Sequence, residues 1–412
     1  MRIVLFNTWA LFLSFAIISL GHGLQGTLIG VRAILEGFSL MSTGLIIAGY
    51  YFGFLGGSIV IPLFIERVGH IRVFAALASL ASIAILLHSI FLDPTLWFLI
   101  RMLTGFCIAG IFIIMESWLN NKSTNTTRGK LLSFYFIITF SFVGIGQLLL
   151  NLSDPAKMNL FILVSILLSL ALLPVLLSVS AAPEFSNPKR IGFKELYIIS
   201  PLGFFGAFIT GLSHGAVFGF GAVFAVAKGF DTFYVSIFML IITIFGALFQ
   251  WPIGALSDRF DRRILLIGVT LIASVLSIFI VATSYLSLIL FFIIVAFYSG
   301  MCLPMYSLAV AHINDFIQPD EIVGVSATVQ FIVGVGAILG PISASLFMNI
   351  FGADGFFVYL FLTHLSLGLF GIYRMSKRAK PDNLESQYVP LPRNISAIGM
   401  ELNPKTNTKK DE

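Results

Sequence analysis

A chain of 412 residues that is 58% hydrophobic and only 10% charged, with 43 Phe, lacks the polar surface that a water-soluble fold of this length needs. Its mean hydropathy of +1.01 makes the lipid bilayer the reasonable solvent. The net charge of +5 is a topology signal and does not call for a nucleic-acid partner. The two cysteines, Cys107 and Cys302, fall inside apolar runs, which argues against a disulfide framework or a cysteine metal site.

Twelve apolar runs are long enough to span a bilayer and are predicted as helices. The first, 3–28, is too long for a signal-peptide core and lacks an Ala-x-Ala end, so it reads as a retained helix carrying His22 and Gln25. The second, 40–65, holds Tyr50 in a glycine-rich stretch and runs into Glu66 and Arg67; the third covers 71–91. The fourth, 95–119, carries Arg101, Gly105 and Glu116, the fifth, 131–151, carries Gln147, and the sixth covers 158–179. A polar stretch, 182–196, divides the halves 1–181 and 197–376. The seventh run, 197–224, holds His214; the eighth, 233–256, holds Gln250 and Gly254. Charge then gathers in the turn that holds Asp258, Arg259, Asp261, Arg262 and Arg263. The ninth run covers 264–283, and the tenth, 286–311, holds Tyr298 and Tyr306. The eleventh, 322–349, holds Gln330, Gly334, Gly336, Gly340 and Pro341, and the twelfth covers 353–374. Residues 377–412, rich in Lys, Asn and Pro, read as a disordered tail.

Orientation follows from the basic residues. With the N-terminus in the cytoplasm, Arg32, Lys157 and Lys228 are the only Lys or Arg in outer loops, and Arg101 is the one left within a span. That asymmetry places both termini inside.

The chain also repeats itself. A shift of 192 residues lays "PLFIERVGHIR" (62–72) on "GALSDRFDRRI" (254–264), matching Glu66 to Asp258 and Arg67 to Arg259. The same shift gives nine identities in the 27 positions from Phe12 to Phe38, among them His22 on His214, Gly23 on Gly215, Gly37 on Gly229 and Phe38 on Phe230. Two regions that choose one offset indicate parallel repeats of six spans each, as in many transporters.

Both charged turns follow the second span of their half. In place and pattern they resemble the G-x-L-x-D-R-x-G-R-R signature of the major facilitator superfamily. The second copy matches at Gly254, Leu256, Asp258, Arg259, Arg262 and Arg263 and has Asp261 where glycine is usual; the first keeps Arg67 and Gly69. "RMLTGFCIA" (101–109) resembles the family's fourth-helix pattern R-x-x-x-G-x-x-x-A. "GVGAILGP" (334–341) resembles the hinge motif G-x-G-x-x-x-G-P, but lies in span 11, whereas antiporters usually carry it in span 5. "ESWLN" (116–120), "RGK" (128–130) and "PMYSLAVAHIND" (304–315) are similar to a bacterial subgroup of largely uncharacterised permeases. The resemblance covers nearly the whole chain. It implies an all-α integral membrane fold of twelve transmembrane helices in two six-helix pseudo-symmetric bundles.

For the charged turns the resemblance implies a cytoplasmic latch made by Glu66, Arg67, Gly254, Asp258 and Arg259; the alternative is that the charges only set topology. Arg101 costs several kcal/mol in a bilayer unless it is paired or faces a wet cavity, and the resemblance places it near substrate or coupling chemistry. Glu116 lies 15 residues further on, about 22 Å along the helix, too far to pair with Arg101 directly. It is either a proton site or a cap for the 4–5 loop through Lys122 or Arg128. His22 and His214 are candidates for proton coupling, since imidazole titrates near neutral pH; hydrogen-bonded packing is the alternative for each. Gln25, Gln147, Gln330 and Tyr306 are further candidates for the cavity wall, and Gly105, Gly334, Gly336, Gly340 and Pro341 for hinges or close helix packing.

The reading is a secondary active transporter moving a small organic solute by alternating access, with proton coupling expected. No catalytic constellation, cofactor site or metal site is expected, and the protein reads as a monomer in a bacterial inner membrane. A uniporter or multidrug-type efflux pump is the alternative within transport, and a non-transporting sensor or scaffold the alternative outside it.

Overall fold

The computed structural model describes residues 2–124, 127–177, 191–377, 388–392, 394–404 and 406. Twelve helices in it are long and apolar enough to cross a membrane. Spans 1–6 are Thr8–Leu35, Leu40–Val68, His70–Ile90, Pro94–Asn121, Arg128–Leu152 and Asn159–Leu176. Spans 7–12 are Pro201–Ala227, Thr232–Ser257, Arg262–Thr283, Leu288–Asn314, Ile322–Phe351 and Gly355–Met375. The main departure from expectation is span 1, which continues to Leu35. Arg32, expected in a loop, is its last-turn base: it pairs with Glu36 one turn on at 2.6 Å and donates to the Pro155 carbonyl at 3.1 Å.

Starts and stops follow local chemistry. Ser39, Asp93, Asp231 and Ser287 each accept a backbone N–H three residues on, satisfying a donor that a helix start leaves orphaned. Proline marks the breaks. Span 8 divides into Thr232–Leu248 and Gln250–Ser257, where Pro252 has no N–H for the Leu248 carbonyl; Pro304 and Pro174 interrupt spans 10 and 6 in the same way.

The repeat is visible in the backbone. At the end of span 1, Gly37 sits at φ 74°, with Phe38 N–H bonded to the Ala33 carbonyl and Gly37 N–H to Ile34. At the end of span 7, Gly229 sits at φ 90°, with Phe230 bonded to Ala225 and Gly229 to Val226. Both are Schellman ends that need a residue free to adopt positive φ. The matched Gly–Phe pairs of the sequence are thus one structural device used twice.

Packing repeats as well. A Cβ on Gly23 would sit 2.1 Å from the Val143 carbonyl oxygen, and one on Gly146 2.2 Å from that of Leu20, so spans 1 and 5 meet backbone to backbone. Gly215 meets Ala337 at 2.5 Å and Gly340 meets Leu212 at 2.3 Å, which joins spans 7 and 11 in the same way. Gly336 likewise approaches the Phe208 carbonyl, so it and Gly340 are close-packing positions. Gly334 faces Leu55 of span 2, and Pro341 lies inside an unbroken helix.

One end of the molecule carries the 2–3, 4–5, 8–9 and 10–11 turns together with residues 191–192; call this the linker end. The opposite, far end carries the remaining turns. Direct contacts between the halves sit at mid-depth and toward the far end: Gly44 on Ser345, Gln147 on Thr243 and Asn151 on Ser236. At the linker end a different segment fills the gap. The tail expected to be disordered is instead ordered at 388–392, 394–404 and 406, with a 3-10 turn at Gly399–Leu402 and with Leu391, Ile395, Ile398, Met400 and Leu402 buried. The Lys- and Asn-rich residues that prompted the expectation flank an apolar stretch that finds a core. Residues 178–190, which include most of the expected 182–196 join, lie outside the described residues.

Candidate functional site

Span 4 sets the site. Asp93 and Pro94 start it, and Gly105 lets it approach span 2 so closely that a Cβ there would lie 1.9 Å from the Tyr50 carbonyl oxygen. That contact brings Tyr50 beside Arg101. The guanidinium carbon lies 4.7 Å from the centroid of the Tyr50 ring, a cation–π geometry. Arg101 is 5% exposed, its Nε has no hydrogen-bond partner, and no carboxylate pairs with it among the described residues.

Arg101 lines a cavity with His22, Tyr51, Gln147, Phe218 and Met239, drawn from spans 1, 2, 4, 5, 7 and 8 and hence from both halves. The cavity is about 40 Å³, room for a few waters rather than a solute. A second cavity of about 30 Å³ adjoins it through His22, Val143 and Phe218, and is bounded also by Phe112, Thr139, Thr243 and the tail residues Pro392 and Asn394.

The two equivalent histidines diverge. His22 faces both cavities, with its ring 5.7 Å from Tyr50 and 6.1 Å from Phe112. His214 is turned away: its Nε2 donates to the Cys302 carbonyl at 3.0 Å. Gln147 exchanges hydrogen bonds with Thr243 across the halves at 3.1 and 3.2 Å. Gln25 is buried with neither amide atom hydrogen-bonded among the described residues, and it lines neither of these cavities. Tyr306 and Gln330 line neither of them, Tyr306 being buried and Gln330 half-buried.

Glu116 stands apart from Arg101, as the helix spacing requires, but it does not cap the 4–5 loop. Its Oε1 accepts from the Tyr135 hydroxyl at 2.6 Å and its Oε2 from the Ser396 backbone N–H at 2.9 Å. Arg128, expected as a partner, donates instead to the Thr406 carbonyl at 2.7 Å. The tail, expected to be disordered, holds both groups.

The charged turns, expected to form a latch, differ from each other in their contacts. Glu66 and Arg67 are exposed and make no hydrogen bond or ion pair among the described residues; Arg259 is exposed. Asp258 accepts the Tyr388 N–H at 2.6 Å and lies 3.5 Å from Arg262. Gly254 leaves room for the Tyr388 ring, since a Cβ there would lie 2.4 Å from it. Tyr388 hydrogen-bonds Gln250 through its hydroxyl, and burial holds that phenol above the usual tyrosine range. Arg262, 1% exposed, ties its own turn to span 10 through Asp315 and the Ala311 carbonyl. His70, its counterpart at the same 192-residue shift, makes the matching tie to Ser117 of span 4 at 3.0 Å. These contacts act within each half. A latch directly between the halves is not formed by them.

The model of the Major Facilitator Superfamily matches residues 11–306 and again 203–399. The chain belongs to the major facilitator superfamily. An uncharacterised MFS-type transporter of Yersinia pestis is 25% identical over 352 residues, covering 84% of this chain and 88% of the relative. The uncharacterised MFS-type transporter YcaD of Escherichia fergusonii is 22% identical over 346 residues, covering 84% and 89%. Among solved structures, the nucleoside transporter NupG gives a TM-score of 0.72 at 14% identity, covering 92% of this chain and all of that one. A bacterial homologue of the lysosomal transporter Spinster, in an inward-facing, occupied conformation, gives 0.72 at 15% identity, covering 91% and 98%. These likenesses establish the fold. The protein is a multi-pass membrane transporter of this superfamily and not an enzyme.

Proposed function

We propose that this transporter is a secondary carrier of a small organic anion, working by alternating access in a bacterial inner membrane with both termini cytoplasmic. One observation carries the choice of an anion. Arg101 is a buried cation in the wall of the central cavity, with no counter-charge among the described residues. Keeping a guanidinium in a bilayer without a partner is costly, and a carboxylate brought by the solute would match its planar fork of donors. The Tyr50 ring below it holds the guanidinium in the cavity wall before the solute arrives.

His22 is the proton-coupling residue in this reading, since it faces both cavities while His214 is spent on a packing bond. The carrier works as a monomer, each half supplying one side of the cavity. The deciding experiment is exchange of labelled short-chain carboxylates and their neutral amides across liposomes containing the purified protein, with and without a pH gradient. Acids should exchange, amides should not, and the gradient should drive accumulation. Equal exchange of amides and acids would defeat the assignment of an anion.

A further inference from the structure

The segment from Tyr388 to Thr406 crosses the linker end from one half to the other. It begins on the second half: Tyr388 N–H bonds to Asp258, and Leu391 N–H to the Ser307 hydroxyl at 3.0 Å. Pro392 and Asn394 then pass beneath the central cavity and form part of the wall of the lower one. It ends on the first half, where Ser396 N–H meets Glu116, Asn120 hydrogen-bonds Glu401, and Arg128 holds Thr406.

The spans are shaped to receive it. A Cβ on Gly399 would lie 2.7 Å from the Glu116 carboxylate, and one on Gly129 2.9 Å from the Pro404 ring. Leu391, Ile395, Met400 and Leu402 are each 2% exposed or less and join the same apolar cluster as the spans. Its backbone and hydroxyls are met by side chains of four different spans, 4, 5, 8 and 10, and by Asp258 of the 8–9 turn. A segment that only happened to lie against the surface would bury neither its leucines nor a carboxylate of the protein proper.

We propose that residues 388–406 are a self-supplied plug: a removable peptide that closes the linker-end mouth and locks the transporter in the state described here. The halves touch at mid-depth and at the far end, so the plug occupies the space they must enter to close at the linker end. While it is seated, solute cannot pass that mouth and the far end cannot open. The proposal rests on the alternating-access reading above, but its test reads chemical labelling and not uptake, so the two stand or fall separately.

The test uses the full chain, with Cys107 and Cys302 replaced by alanine, carrying either Thr139→Cys beside the plug or Ser345→Cys at the closed far end. Labelling by a hydrophilic maleimide is compared with that of two tail variants, Gly399→Leu and the pair Leu391→Asp with Leu402→Asp. Neither variant alters a span. Both should raise the labelling rate at Thr139→Cys about ten-fold or more, within the usual range of coupling between two states. Both should also raise labelling at Ser345→Cys, because the released halves can now rock. A synthetic peptide of residues 388–406 added to the Leu391→Asp, Leu402→Asp chain should restore protection at both positions. Rates at Thr139→Cys within two-fold of the parent in both variants would overturn the plug, by the same coupling scale. Faster labelling at Thr139→Cys with no change at Ser345→Cys would overturn the lock.

Discussion

Glu116 accepts the backbone N–H of Ser396 at 2.9 Å across 280 residues of sequence. A carboxylate that is wholly buried has its oxygens shared between the Tyr135 hydroxyl and a peptide group of the chain's own tail. Charge-assisted hydrogen bonds of this kind contribute about 1.5–3 kcal/mol. Glu116→Gln keeps an acceptor toward Ser396 but removes the charge. The expected result is a folded protein with a loosened tail, read as faster maleimide labelling of Thr139→Cys. Labelling at the parent rate would show that Glu116 does not hold the segment.

Arg101 gives the sharpest test of substrate chemistry. Arg101→Ala should abolish carboxylate exchange in liposomes while leaving yield and melting behaviour near the parent, because no ion pair among the described residues is lost. Arg101→Lys should rescue poorly: an ammonium lacks the planar fork and is more strongly hydrated. Exchange by the alanine variant at the parent rate would remove Arg101 from the site.

Gly105 connects packing to that site. The close approach of spans 2 and 4 leaves no room for a Cβ at 1.9 Å from the Tyr50 carbonyl oxygen, so Gly105→Ala must push the helices apart. Overpacking costs about 1–3 kcal/mol, and it moves Tyr50 away from Arg101. Loss of both thermal stability and exchange is expected. Gly268→Ala is the control: nothing lies within 4 Å of its added methyl, and alanine in a helix gains about 1 kcal/mol over glycine. Its melting temperature should not fall.

How far the sequence could be read depends on the range of the interaction concerned. The spans were legible because apolar length is a local property, and the repeat because His22–Gly23 and Gly37–Phe38 kept both spacing and identity. Arg101 stood out because charge in a bilayer needs a reason. What could not be read was partner choice. Nothing local distinguishes His22, facing two cavities, from His214, bonded to the Cys302 carbonyl. The tail was misread because its average composition is polar. Its signal was finer: Val389, Leu391, Ile395, Ile398, Met400 and Leu402 are a density of large apolar residues that no solvated tail needs.

The matched helix ends predict matched sensitivity. Gly37 and Gly229 hold φ 74° and 90°, where an L side chain costs about 1–2 kcal/mol. Gly37→Ala and Gly229→Ala should each lower the melting temperature in detergent by similar amounts, and the losses should add, since the sites share no partner. Strong non-additivity would mean the two ends are coupled through the halves.

Asp258 separates two accounts of the charged turn. If it bridged the halves directly, its effect would not depend on the tail. In the structure its carboxylate accepts the Tyr388 N–H, with Arg262 further off at 3.5 Å. Its side chain is 39% exposed, so solvent screening holds its contribution to about 1 kcal/mol or less. Asp258→Asn should therefore raise labelling of Thr139→Cys by no more than about five-fold in the full chain. Introduced on top of Leu391→Asp and Leu402→Asp, which already displace the tail, the same substitution should have no further effect. The double-mutant comparison isolates that dependence. An undiminished effect of Asp258→Asn in the tail-displaced chain would return the residue to a latch between the halves.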